Sequence, residues 1–264
     1  MKLTSRLIDA VQDGSIGWLV WNNPTKLNAI SADMMLDAIE VIKAYEADAS
    51  VQVVIMRGAG EKAFVSGGDI SKFEQMRGNA EAERRYREVP DRLQAAMTTV
   101  SKPLIAMIHG YCLGGGMMLA LCADLRFAST TAKLGIPAAK RGIAYPLSSL
   151  ERLRELIGPS RAKDMLFSAR QVPAEEALRI GLVDRVFEPD ELENEAAAYA
   201  RAIAENAPLS VRASKYFIDQ ARLESARRDN ARIHSLSEAC SDSEDFKEAT
   251  KAFVEKRKPI FRGA

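Results

Sequence analysis

The chain has 264 residues, which is enough for one large domain or for one domain with an appendage. Its net charge of +1 leaves no acidic or basic field that would direct it to nucleic acid or to a membrane surface. Its 3 cysteines lack metal-ligand spacing, and no apolar run is long enough to span a bilayer. We therefore expect a cytoplasmic protein with reduced thiols, no bound metal, no nucleic acid and no membrane partner.

The first part of the chain is predicted to mix strands with a helix. Ser31 has the side chain of a helix N-cap, and an amphipathic pattern follows it. Two predicted strands flank the Asp13-Gly14 turn, which predicts a hairpin. The predicted elements are strands at 5–11 and 16–21, a helix at 32–47 and a buried strand at 51–57.

A glycine-rich stretch at 103–129 organises the middle of the chain. An apolar strand at 104–108 is followed by three glycines at 114–116, a small-residue helix at 117–122 and a strand at 125–128. Glycines between a strand and a helix expose backbone N–H groups at the helix N-terminus, where they stabilise a phosphate or a developing oxyanion. A nucleotide P-loop and a dinucleotide fingerprint are both disfavoured, because neither the Lys-Ser/Thr pair nor the G-x-G-x-x-G spacing is present.

A second glycine loop lies at 64–70, where Ser66, Gly67 and Gly68 allow the backbone to approach a ligand closely. Asp69 is interpreted as the cap of a short helix that follows. The charged stretch at 79–99 is predicted to be a helix with a solvated face, on which Arg84, Arg85 and Arg87 are minor candidates for phosphate contact.

The remainder of the chain changes character near residue 190. Before it, an irregular loop at 140–146 carries Tyr145, and glycines or prolines separate short predicted elements. After it, every pattern is helical. We therefore predict two regions, 1–190 and 191–264. The predicted elements are helices at 147–157, 161–168 and 173–180, a strand at 182–187, and helices at 191–205, 209–223, 229–240 and 242–256.

Six motifs in this order resemble the crotonase (enoyl-CoA hydratase/isomerase) superfamily. They are P-T-K-L-N-A at 24–29, S-G-G-D-I at 66–70, K-P-L-I-A-M-I-H-G-Y-C-L-G-G-G at 102–116, A-D-L-R-F-A at 123–128, A-L-R-I-G-L-V-D-R-V at 177–186 and F-V-E-K-R-K-P at 253–259. The resemblance implies an α/β spiral of β-β-α turns, with an acyl-CoA-binding core and a C-terminal helical region that packs in trimers or dimers of trimers. It also implies an acyl-CoA thioester substrate, so that coenzyme A enters with the substrate and no cofactor is permanently bound.

The same resemblance assigns roles to individual residues. It places the two oxyanion donors at the backbone N–H groups of Ser66 and Gly115. The residues that it implies for binding coenzyme A or the acyl group are Lys26, Leu27, Ser66, Gly67, Gly68, Asp69, Gly115, Met118, Ala138, Phe253 and Lys256, the last two reaching the coenzyme A of a neighbouring subunit.

Two positions depart from the family pattern. Hydratases of the family use two glutamates as an acid/base pair, and here these positions hold Met118 and Ala138. Neither side chain can move a proton, so the resemblance supports enolate chemistry better than hydration.

Tyr145 is the remaining candidate catalytic side chain. The stretch G-I-A-Y-P-L at 142–147 resembles methylmalonyl-CoA decarboxylases within the superfamily, which carry a tyrosine at this place, a histidine at the place of Gly68 and an acidic residue at that of Met118. Loss of CO₂ needs no base, and a neutral tyrosine could orient the carboxylate. The alternative role for Tyr145 is a half-buried loop aromatic whose hydroxyl bonds to the backbone.

Three functions therefore remain open: a malonyl-type decarboxylase, a hydratase or isomerase that uses another group such as Glu151, and a non-catalytic acyl-CoA-binding protein. His109 is expected to be a buried structural residue.

Overall fold

The strands form two sheets in the computed structural model, which describes residues 3–69 and 80–264. The strands are β1 (Ile8–Asp13), β2 (Ile16–Trp21), β3 (Val53–Gly58), β4 (Ala63–Val65), β5 (Leu104–Ile108), β6 (Tyr111–Leu113), β7 (Leu125–Ser129), β8 (Lys133–Gly135), β9 (Gln171–Pro173) and β10 (Arg185–Phe187). The described helices are α1 (Ala32–Ala47), α2 (Ala80–Thr99), α3 (Gly115–Cys122), α4 (Leu147–Ser168), α5 (Ala174–Arg179), α6 (Leu192–Ala204), α7 (Pro208–Ala221), α8 (Asn230–Asp242) and α9 (Glu244–Val254). Short 3-10 turns lie at Pro24–Lys26, Ala139–Arg141 and Ser225–Arg227.

The sheet order shows the predicted spiral of β-β-α turns. The larger sheet has the order β1-β2-β3-β5-β7-β10, and the smaller sheet has the order β4-β6-β8-β9. Strands β3, β5 and β7 are parallel neighbours in the larger sheet, while β4, β6 and β8 are parallel neighbours in the smaller one. The consecutive pairs β3–β4, β5–β6 and β7–β8 therefore each contribute one strand to each sheet, and the α/β prediction is confirmed.

The central strands β2, β3 and β5 of the larger sheet are buried on both faces. On β2, Leu19 and Trp21 point into the main core, while Trp18 and Val20 point into a second core. The same alternation continues on β3 and β5, as the two-residue period of a strand requires. Helix α6 covers the second face with Leu192 and a row of alanines. Because both faces are covered, these strands read as continuous apolar runs in the sequence.

Several element boundaries differ from the sequence-based prediction. Strand β1 begins at Ile8 instead of residue 5, because the N–H groups of Thr4 and Ser5 donate to the Asp37 carboxylate instead of to a strand. Strand β10 covers three residues instead of six, because the preceding N–H groups of Leu182 and Val183 donate to the Ala177 carbonyl.

The break predicted at Gly158-Pro159 is present. Helical residues run through 147–168, but Gly158 has φ +76° and ψ 164° and kinks the segment. Helix α3 begins at Gly115, two residues before its predicted start, so the second and third glycines of the triplet lie inside its first turn. The prediction that Asp69 caps a following helix concerns residues 70–79, which lie outside the described residues.

Four helices, α6 to α9, follow the last strand. The first of them packs on the larger sheet, whereas Phe246 and Phe253 of α9 are exposed. The division at residue 190 stays a prediction. Within the described ranges, none of the helices combines the length and the apolar character that crossing a membrane requires.

The contact between α3 and β4 fixes the distance between the two glycine loops. A Cβ atom on Gly116 would lie 2.1 Å from the Val65 carbonyl oxygen, which is too close for any side chain. Glycine at 116 therefore lets the helix rest directly on the backbone of the strand.

Replacing Gly116 with alanine should separate α3 from β4. We expect Gly116→Ala to lower the free energy of unfolding by about 3 kcal/mol, because backbone atoms cannot move aside as a flexible side chain can. Gly60→Ala is the matched control: its Cβ would meet no atom within 4 Å, so it should cost about 1 kcal/mol for its φ of +70° alone. Urea unfolding measures both values, and equal losses would contradict this packing argument.

The Asp37 carboxylate should make stability depend on acid pH. Its oxygens accept hydrogen bonds of 2.8 Å from Thr4 N–H and 2.7 Å from Ser5 N–H, and its side chain is buried. Burial alone would raise the pKa of Asp37, but the hydrogen bond from the Ser5 side chain and those from the two N–H groups together outweigh burial and lower the pKa. Stabilisation by the charged form is therefore complete above the unfolded-state pKa of about 4 and is lost as the pH falls through the lower folded-state pKa.

Asp37→Asn should accordingly lower the Tm at pH 7 and flatten the decline of Tm on acidification, with a loss of about 1–3 kcal/mol at neutral pH. The control is Asp190→Asn, at an exposed carboxylate. A Tm decline below pH 4 that is as steep in Asp37→Asn as in the wild type would rule out this contribution.

Candidate functional site

The two glycine loops line one cavity of about 160 Å³ between the sheets and α2. The structure brings together seven residues that the sequence analysis had assigned to a site, although they come from four separate segments. These are Ser66, Gly67, Gly68, Gly115, Met118, Ala138 and Tyr145.

The 64–70 loop is held by an isolated parallel bridge to Ile30. Ile30 N–H donates to the Gly67 carbonyl at 2.9 Å, and Asp69 N–H donates to the Ile30 carbonyl at 3.0 Å. In a parallel bridge, the residue between two such bonds directs its own N–H to the opposite side. The Gly68 N–H therefore points away from Ile30, and it has no hydrogen-bond acceptor among the described residues.

This arrangement corrects the assignment of one oxyanion donor. The N–H of Ser66 donates to the Leu27 carbonyl at 3.1 Å, so it is already engaged and cannot also serve a ligand well. Its hydroxyl lies 3.4 Å from the Lys26 carbonyl and also faces the same segment. In this loop, Gly68 supplies the available N–H group, and the geometry contradicts the donor role expected of Ser66.

Gly115 lies directly beside Gly68. It is the first residue of α3, so its N–H has no acceptor inside the helix, and the helix dipole favours negative charge at this end. A Cβ atom on Gly115 would lie 3.3 Å from the Gly68 nitrogen and 3.1 Å from Ile30 Cδ1. The absence of a side chain thus leaves room for a ligand atom at two neighbouring donors.

Asn28 fixes the turn that supplies the Leu27 carbonyl. Leu27 and Asn28 both have positive φ, of 50° and 55°, which is uncommon for side chains of this size. The buried Asn28 amide donates to the carbonyls of Ala59 and Ala63 at 3.0 and 2.7 Å, and its oxygen accepts from the Asn23 N–H. These three bonds hold the turn and so hold the loop at Ser66.

Tyr145 bonds to the backbone of the other donor loop. Its hydroxyl donates to the Gly114 carbonyl at 2.8 Å, and its half-buried ring lines the cavity. Burial raises the pKa of Tyr145 well above its ordinary value, so the hydroxyl stays neutral at physiological pH. Of the two roles considered for Tyr145, this geometry agrees with the one in which its hydroxyl bonds to the backbone.

Met118 and Ala138 belong to an apolar wall of the cavity. Met118 lies on α3 and Ala138 precedes the 3-10 turn Ala139–Arg141, and both are almost fully buried. They line the cavity together with Ile30, Met35, Ile136 and Ile143. The wall can hold an alkyl group but cannot transfer a proton.

Polar residues of α2 and of the turn after β8 line the same cavity, and of these the sequence analysis had named only Arg87, as a minor candidate for phosphate contact. They are Tyr86, Arg87, Asp91 and Arg141. The first three share one helix face with Pro90, as their i, i+1, i+4 and i+5 spacing requires. This spacing could have indicated from the sequence that one face of α2 lines a site. The charged composition of the helix instead led to the prediction of a solvated face.

The residues expected to bind the nucleotide end of coenzyme A lie on the surface. Lys26 Nζ pairs with Asp69 Oδ2 at 2.8 Å, with 57% of the lysine side chain exposed. Leu27 is partly exposed beside it. Phe253 is 85% exposed on α9, and Lys256 follows it in a left-handed conformation, so neither lines the cavity within one chain.

Two further candidates lie apart from the cavity lining. His109 is buried, as expected, and burial lowers its pKa. Glu151 is exposed on α4 and is absent from the cavity wall formed by the described residues. In the same part of the chain, no group of three or more His, Cys, Asp or Glu side chains is placed to hold a metal ion.

Comparison with known proteins agrees with the fold and the motifs. Residues 12–264 match the family model of enoyl-CoA hydratase/isomerase. A short-chain-enoyl-CoA hydratase from Clostridium acetobutylicum is 37% identical over 98% of this chain and 97% of its own, and a crotonyl-CoA hydratase from Syntrophomonas wolfei is 35% identical over 91% and 92%. A solved enoyl-CoA hydratase/carnithine racemase from Magnetospirillum magneticum superposes with a TM-score of 0.92 at 36% identity, covering 98% of this chain and 96% of its own. The chain belongs to the enoyl-CoA hydratase/isomerase family.

Proposed function

We propose that this protein stabilises the enolate of an acyl-CoA thioester, with the thioester oxygen held by the N–H groups of Gly68 and Gly115. The single observation that carries the proposal is the pairing of these two donors at the cavity wall, one directed by the Ile30 bridge and the other by the start of α3. Donors already fixed in place stabilise developing charge without reorganising during the reaction.

The specific reaction that fits this wall is decarboxylation of a malonyl-type thioester. The bond between the α-carbon and the carboxylate breaks, its electron pair moves into the enolate, and CO₂ leaves. The enolate then takes a proton from water at the α-carbon. No base is needed, so Met118 and Ala138 at the glutamate positions are compatible with every step.

The charges around the cavity favour an anionic acyl group. Arg87 and Arg141 line it with one carboxylate, Asp91, among the described residues, so the charged side chains of this lining carry one net positive charge. The apolar wall at Met118 and Ala138 disfavours the charged carboxylate relative to neutral CO₂, because burial penalises charge. Binding and bond cleavage are thus favoured by different parts of one cavity.

We also propose where the nucleotide end of coenzyme A binds and which surface forms the contact between subunits. Lys26 and Leu27 lie at the surface beside the Ser66 loop, where a nucleotide could reach them. The exposed Phe253, with its neighbour Val254 at 77% exposed, is suited to cover by a second copy of this chain in a trimer or a dimer of trimers.

The test of decarboxylation is to incubate the protein with methylmalonyl-CoA and follow propionyl-CoA. We expect turnover in the wild type and a loss of about 10²–10³ in kcat for Gly115→Ala, whose methyl group crowds the Gly68 N–H. Gly60→Ala, outside the cavity, should keep wild-type turnover. Binding of acyl-CoA esters by calorimetry without turnover on any of them would instead support a non-catalytic acyl-CoA-binding protein.

A second candidate is a hydratase or isomerase that uses Asp91 as its acid/base group. Two observations favour it: Asp91 is the carboxylate that lines the cavity among the described residues, and the relatives named above are hydratases. A carboxylate on α2 would approach the substrate from a different wall than the family glutamates do.

Asp91→Asn tests this second candidate with crotonyl-CoA, by following the loss of absorbance of the conjugated thioester. If Asp91 transfers the proton, kcat should fall by about 10²–10⁴ while the substrate still binds. The matched control is Glu88→Gln, an exposed carboxylate of the same helix that does not line the cavity. Hydration that is unchanged in Asp91→Asn would eliminate this role.

A further inference from the structure

The Tyr145 hydroxyl lies behind the peptide group that carries one of the proposed oxyanion donors. It donates to the carbonyl oxygen of Gly114 at 2.8 Å. That carbonyl and the N–H of Gly115 belong to the same peptide group. The peptide is trans, so its C=O and N–H point in opposite directions. A bond to the carbonyl from one side therefore sets the direction of the N–H on the other side.

The Gly114 carbonyl accepts a second hydrogen bond, which adds to the effect. Met118 N–H donates to it at 3.1 Å as the first bond of α3. Hydrogen bonds in a chain polarise one another, so two donors at the oxygen make the opposite N–H a stronger donor. Of these two donors, Met118 N–H belongs to the helix and Tyr145 supplies the other.

The Gly114 turn depends on such bonds for its conformation. Gly114 has φ +50° and ψ −107°, a region that is open to glycine and is not fixed by any side chain of its own. Its N–H donates to the Gly135 carbonyl at 2.9 Å, and its C=O accepts from Tyr145 and Met118. Gly114 is thus tied to β8 through its N–H, while the Gly114–Gly115 peptide is tied to the 140–146 loop and to α3 through the Gly114 C=O.

We propose that Tyr145 is a positioning residue that orients and polarises the Gly114–Gly115 peptide, so that the Gly115 N–H can hold the thioester oxygen. This inference rests on the proposed function. It replaces the expectation that Tyr145 orients a substrate carboxylate, because the single hydroxyl proton is already donated to Gly114.

The two roles of Tyr145 differ in the substrates that they affect. A residue that orients a carboxylate matters for a malonyl-type thioester and has no effect on a thioester without a carboxylate. A residue that polarises the oxyanion donor changes the thioester carbonyl of every acyl-CoA in the site. A ligand without a carboxylate therefore separates them.

The experiment uses the full chain and butyryl-CoA labelled with ¹³C at the thioester carbonyl. Isotope-edited infrared spectra of the bound ligand report the polarisation of that carbonyl directly. We expect the carbonyl stretch to shift to lower frequency on binding to the wild type, and to shift less on binding to Tyr145→Phe. In turnover of methylmalonyl-CoA, the variant should lose about tenfold in kcat with little change in KM, since a donor is weakened and not removed.

Tyr111→Phe is the matched control. Tyr111 is a half-buried tyrosine on the neighbouring strand β6 and does not line the cavity. Its variant should give the wild-type infrared shift and wild-type turnover. Thermal unfolding of both variants shows whether the fold is retained.

The possible outcomes separate this inference from the proposed function. Equal shifts of the carbonyl stretch in the wild type and in Tyr145→Phe would overturn the positioning role of Tyr145. They would not contradict the proposal that the N–H groups of Gly68 and Gly115 bind the thioester oxygen. Bound butyryl-CoA without any shift in the wild type would overturn the oxyanion site itself, and the inference with it. A shift that is reduced in Tyr145→Phe but unchanged in Tyr111→Phe would support both the oxyanion site and the positioning role of Tyr145.

Discussion

The approach of two glycines, Gly68 and Gly115, depends on a short stretch of parallel pairing between Ile30 and the 64–70 loop. Two backbone hydrogen bonds on either side of Gly68 turn its N–H toward the start of α3. Without this pairing, the loop would be free to rotate its peptide groups, and no fixed donor would meet the helix end. The proposed oxyanion site therefore depends on backbone pairing and not on a reactive side chain.

The same constraint explains why glycines cluster here. At Gly116, the helix rests on the Val65 carbonyl with no space for a methyl group, and at Gly115 the empty position lies beside the Gly68 nitrogen. One glycine is needed for packing and the other for access of a ligand. Substitutions at these adjacent positions should therefore fail for different physical reasons, one through stability and the other through activity.

The reactions that the cavity can support depend on which of its lining side chains are apolar and which are charged. Met118 and Ala138 make one wall apolar, while α2 and the turn after β8 bring Arg87, Asp91 and Arg141 to the cavity. In the proposed function, the backbone N–H groups of Gly68 and Gly115 stabilise the enolate. The side chains that line the cavity would then decide which bond is broken or which proton moves.

The sequence by itself determined the order of the elements, the two glycine loops and the apolar character of Met118 and Ala138, because strand periodicity, helix caps and residue types are local properties. The prediction of the spiral was confirmed, since each β-β-α turn repeats the same local pattern. Tertiary structure alone decided which amide of the 64–70 loop is available. That choice depends on hydrogen bonds to Leu27 and Ile30, which lie on a distant segment, and every residue in the loop carries the same N–H group. Packing likewise decided that Tyr145 faces Gly114 and that one face of α2 lines the cavity, because the direction in which a charged surface helix packs is not encoded in its own composition.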